Sequence, residues 1–66
     1  MIDAKQFAES VAELLRARFP DAKATQSYAG NWSVRANGKI ASIEGRGLML
    51  THSVEQVANL IWHEVS

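Results

Sequence analysis

The sequence predicts an α+β fold in the order α-β-β-β-α: a three-stranded antiparallel sheet, with a possible short fourth strand, and two helices packed on one face. Two observations predict it. Apolar residues recur at helical spacing near both ends of the chain, and the dipeptide Asn37-Gly38 lies between two short runs whose side chains divide cleanly into two faces.

The first helix is expected over residues 4–18. Phe7, Val11, Leu14 and Leu15 form its apolar stripe with Ala8 and Ala12 beside them, and Lys5, Glu9, Glu13 and Arg16 take the other side. Asp3 and Gln6 make a capping pair, and Ile2 and Phe7 are spaced for a hydrophobic staple. Pro20 disfavours a helical Phe19, which stops the helix near Arg18, and Arg16 and Arg18 complement the dipole there.

The hairpin follows from Asn37-Gly38, because both residues tolerate the positive φ of a type I′ turn. That turn pairs Ala36 with Lys39, Val34 with Ala41 and Trp32 with Ile43. Trp32, Val34, Ala36, Ala41 and Ile43 then share the core face, while Ser33, Arg35, Ile40, Ser42 and Glu44 share the other. An earlier strand near 24–29 joins through a turn at Gly30-Asn31. A two-residue loop places Gln26 and Tyr28 on the Arg35 face and Thr25, Ser27 and Ala29 on the core face; a three-residue loop reverses the assignment, and the sequence leaves both open.

Glu44-Gly45-Arg46-Gly47 reads as a flexible break, and Leu48-Met49-Leu50 as either a short edge strand or an apolar linker. Ser53 with Gln56 is a capping box ahead of Val54, Val57, Ala58, Ile61 and Val65, so the second helix is expected from about 54 onward.

The whole chain, 1–66, is expected as one small domain. Ten of its apolar residues are alanine and none is cysteine, which excludes disulfides, thiol nucleophiles and cysteine-ligated zinc and leaves a modest core to hold the fold. A homodimer that buries more surface is compatible with so small a core. No apolar run approaches a membrane span and the first residues lack a basic segment leading into an apolar one, so the expectation is a cytoplasmic protein with no membrane partner.

The formal net charge of zero is unevenly distributed. Between Arg16 and Arg46, Arg16, Arg18, Lys23, Arg35, Lys39 and Arg46 outnumber Asp21 and Glu44, giving +4; the segments 1–15 and 47–66 each carry −2. The sheet and its loops are therefore basic and the helices mildly acidic.

Candidate chemistry is sparse. Ser53 follows His52 but serves as a helix cap, and His52 and His63 are too far apart along a continuous helix to share an ion. Gly45-Arg46-Gly47 lacks the lysine and the helix directly behind it that a phosphate cradle needs. Glu9 and Glu13, one turn apart, lie on the wet side of the first helix. No catalytic residue, metal or cofactor is expected.

The element order is similar to that of double-stranded RNA-binding domains and of small toxin-like and phage-like proteins with the same layout. The RNA-binding family carries a lysine cluster at the start of its second helix. Here that position reads Ser53-Val54-Glu55-Gln56-Val57-Ala58, with a glutamate and no lysine, and no site residue carries over.

The expected function is a small non-enzymatic protein-binding module, a regulator or inhibitor. It would use Tyr28, Arg35 and Ile40 on the open sheet face and Arg46 in the adjacent loop, with an acidic patch on the partner as complement. Trp62 is either core or an interface anchor. The alternatives are a nucleic-acid-binding regulator acting through Arg35, Lys39 and Arg46, and a self-assembling structural subunit.

Overall fold

The computed structural model describes residues 3–66. Its order is α1 (Ala4–Leu15), β1 (Lys23–Gln26), β2 (Trp32–Ala36), β3 (Lys39–Ser42), a 3-10 turn (Glu44–Arg46), α2 (Leu48–Thr51) and α3 (Val54–Val65). The mixed α+β architecture and its antiparallel β1-β2-β3 sheet are those expected.

In α1, the Asp3 carboxylate accepts the Gln6 amide at 2.7 Å; the expected staple partner Ile2 lies outside the described residues. The helix ends at Leu15, short of the expected Arg18, and residues 16–18 continue only as turns. The Arg16 guanidinium folds back to donate to the Ala22 carbonyl at 2.8 Å, satisfying an acceptor of the chain leading into β1. Phe7, Ala8, Val11, Ala12 and Leu15 are buried, but Leu14, expected in the stripe, is 45% exposed. It lies one step round the helix from the buried line and borders α3 instead of the sheet.

Asn37 and Gly38 take φ of 54° and 72°, as a type I′ turn requires, and Val34 pairs with Ala41 and Ala36 with Lys39. Ile43 donates to the Trp32 carbonyl at 3.2 Å, which extends the same register. The first strand resolves the open alternative. Ser27 donates to the Asn31 carbonyl and Gly30 to the Ser27 carbonyl, enclosing a three-residue loop of Tyr28, Ala29 and Gly30 with Gly30 at φ 91°. Lys23 therefore pairs with Arg35 and Thr25 with Ser33 on the open face, while Ala24 pairs with Val34 towards the core.

The segment expected as a strand or linker, Leu48-Met49-Leu50, is the short helix α2, so there is no fourth strand among the described residues. The expected flexible break is likewise structured, as the 3-10 turn. Ser53 and Gln56 form the full capping box of α3, with both reciprocal bonds made. Val57, Ala58, Ile61 and Val65 are buried from α3, and α1 and α3 lie together against the face that carries Val34, Ala36, Ala41 and Ile43. No described helix is long and apolar enough to cross a membrane.

Candidate interaction surfaces

The uncovered side of the sheet is built from alternate residues of the three strands. Its central row runs Lys23, Arg35, Ile40 across β1, β2 and β3, and all three are exposed. Ile40 is 66% exposed and is the large apolar side chain of this row. Among the described residues, neither Lys23 nor Arg35 has an ion-pair partner within salt-bridge distance. The row is therefore two cations, Lys23 and Arg35, with an apolar end at Ile40, held on paired strands.

The neighbouring row of Thr25, Ser33 and Ser42 is covered at one end. Gly45 comes so close that an added Cβ would stand 2.8 Å from Ser42 Oγ and 3.7 Å from Asn31 Nδ2, and Ser33 is buried beneath this end. The Glu44 carboxylate accepts the Trp32 amide at 2.9 Å, which seats the turn there. A side chain at position 45 would force the Ser42 hydroxyl to turn aside.

The residues expected to form one patch thus separate. Arg35 and Ile40 stand together. Tyr28 is fully exposed, but on the β1–β2 loop beyond Gln26, about 10 Å or more along the strand from the Lys23 row. Arg46 is already engaged: its guanidinium makes two bonds to the Glu64 carboxylate, at 2.8 and 2.9 Å, and a third to the Ser42 carbonyl. The pairing holds the Glu64 carboxyl below its ordinary range and raises the guanidinium above its own. Trp62 is half-buried against the core, edge-on to Phe19 at 5.7 Å, with the Arg18 guanidinium 5.3 Å from its ring centre. Trp62 thus packs on the core while part of its surface stays open.

The histidines stand apart from these features. His52 is an extended residue between α2 and α3, its ring bonded to Thr51 Oγ1, and His63 is in the last turn of α3. The chain is therefore not one continuous helix from 52 to 63. No group of three metal-ligating side chains occurs among the described residues.

A second surface was not visible in the sequence. A shallow groove of about 380 Å³ opens between α1 and the start of α3, lined by Ser10, Glu13, Leu14, Val54 and Glu55. Leu14, seven positions after Phe7, reads in the sequence as part of the buried stripe, so nothing there marks the groove. Comparison with protein-family models, curated proteins and solved structures returns no match to this chain.

Proposed function

We propose that the chain is a small non-enzymatic protein-binding module that docks an acidic surface with an apolar centre onto the Lys23–Arg35–Ile40 row, and regulates or inhibits the protein it binds. The observation that carries this reading is Ile40, 66% exposed and paired with the central-strand Arg35 on the sheet face opposite α1 and α3. An exposed apolar residue beside a run of two cations suits a protein interface that joins apolar and charged contacts, and its place on paired strands pre-organises it. The nucleic-acid alternative is left with fewer cations, because Arg46 spends its donors on Glu64 and Ser42.

The test is capture of partners from a lysate by the tagged chain, with and without nuclease, comparing wild type with Ile40→Asp and Arg35→Glu. A defined protein that is retained after nuclease and lost with either substitution supports the reading. Material released by nuclease, with a steep salt dependence, transfers it to nucleic acid. Capture unaffected by both substitutions removes the sheet face as the site.

A further inference from the structure

The groove and the sheet row have the same composition with opposite sign. The groove has an apolar floor, with Leu14 45% exposed and Val54 half-buried, and two exposed carboxylates, Glu13 and Glu55. No basic residue lines it. The row has Ile40 at its apolar end and the cations Arg35 and Lys23 beside it. Leu14 and Val54 offer an apolar seat for a branched aliphatic side chain, and Glu13 and Glu55 offer carboxylates for a neighbouring cation. The formal net charge of zero leaves no overall repulsion between copies.

From this complementarity we propose that the groove between α1 and α3 receives the Lys23–Arg35–Ile40 row of a second copy of this chain, so that copies associate head to tail. The inference shares the sheet face with the function proposed above and adds a second, distinct surface. The groove belongs to the helical layer and the row to the opposite side of the sheet, so one chain cannot make the contact with itself. Each contact uses a groove from one copy and a row from the other. This is a heterologous interface, which leaves a free groove and a free row at the two ends and extends into short chains or closes into a ring. The contact is small beside the roughly 800 Å² per partner of a stable complex, so the association is weak and concentration-dependent. Self-association also covers the sheet row and so competes with the capture of any other acidic partner.

Sedimentation velocity over a roughly hundredfold concentration range, at low and high salt, tests this. The wild type is expected to gain mean mass with concentration, and to lose most of that gain in high salt. A groove variant carrying Glu13→Lys and Glu55→Lys, and a row variant carrying Lys23→Glu and Arg35→Glu, are each expected to associate at least about tenfold more weakly. Mixed in equal amounts, the two variants regain association, because each reversed surface now meets its opposite. Circular dichroism melts establish that both variants are folded, and the row variant probes the same contact should the groove variant fail to fold. The groove variant leaves the sheet row intact, so it removes head-to-tail contact while keeping the row open to a partner, and its failure is distinguishable from loss of partner capture. The proposal is overturned by a wild type that stays monomeric throughout, by association that survives either pair of reversals, or by a mixture that remains monomeric.

Discussion

The Asp21 carboxylate grips the hairpin turn at Asn37. Oδ1 accepts the Asn37 amide at 3.0 Å and Oδ2 the Gly38 amide at 3.1 Å, so one side chain ahead of β1 satisfies both central amides of the β2–β3 turn. The Asn37 side chain in turn donates to the Val65 carbonyl near the end of α3. A turn chosen for its local geometry is thereby tied to the chain before the sheet and to the last helix.

These two amides hold the Asp21 carboxyl below its ordinary range. Its folded state therefore binds a proton less readily than the unfolded state. The stabilisation is complete above the unfolded value of about 4 and is lost as pH falls through that value to the lowered folded one. Glu64, held down by Arg46, acts with the same sign. Asp21→Asn is expected to melt below wild type at neutral pH, and the gap is expected to shrink at about pH 3. Melting curves at both pH values check this, and a gap that is constant with pH contradicts it.

The two faces of the hairpin are expected to answer differently to the same charge. Val34 is fully buried and Ile40 is largely exposed, although they are only six positions apart in one hairpin. Val34→Asp places an unpaired carboxylate in the core and is expected to cost about 3 kcal/mol or more, a large part of the stability of so small a domain. Ile40→Asp is expected to change the melt by no more than about 0.5 kcal/mol. Denaturant unfolding of the two variants checks this, and equal losses would refute the assignment of faces.

The contrast also shows what the sequence alone made legible. Local rules sufficed wherever one residue type dictates one geometry: the positive φ at Asn37 and Gly38, the capping box at Ser53 and Gln56, and the alternation that buries Val34 and exposes Ile40. The register of β1 was not legible, because Gly30 serves a two-residue or a three-residue loop equally well. The bonds from the Ser27 amide to the Asn31 carbonyl and from the Gly30 amide to the Ser27 carbonyl decide between them. The candidate site was legible only in part. Arg35 and Ile40 follow from local pairing. The capture of Arg46 by Glu64 spans 18 positions and has no local signature. The α1–α3 groove likewise depends on how two distant helices cross.

The Arg46–Glu64 pair joins the 3-10 turn to α3, yet both side chains are more than a third exposed. Solvent screening keeps its coupling energy to about 0.5–1 kcal/mol. A double-mutant cycle on Arg46→Ala and Glu64→Ala, read by denaturant unfolding, is expected to return a value in that range that falls with added salt. Because Arg46 is committed to Glu64, Arg46→Ala is expected to leave partner capture nearly intact while Arg35→Glu abolishes it. Equal loss from both would extend the binding surface to the turn.

Trp62 fills the gap between α3 and the turn after α1, where it meets the edge of Phe19 and lies under Arg18. Truncation there removes half-buried aromatic area and a cation–π contact together. Trp62→Ala is expected to cost roughly 2 kcal/mol, which lowers the melting temperature by about 10 °C in a domain of this size. Trp62→Phe retains the edge contact with Phe19 and is expected to recover much of that loss. Capture of a partner by Trp62→Phe is expected to match wild type, since the ring's observed contacts are with Phe19 and Arg18 of its own chain. A normal melt for Trp62→Ala combined with lost capture would instead make Trp62 an interface anchor.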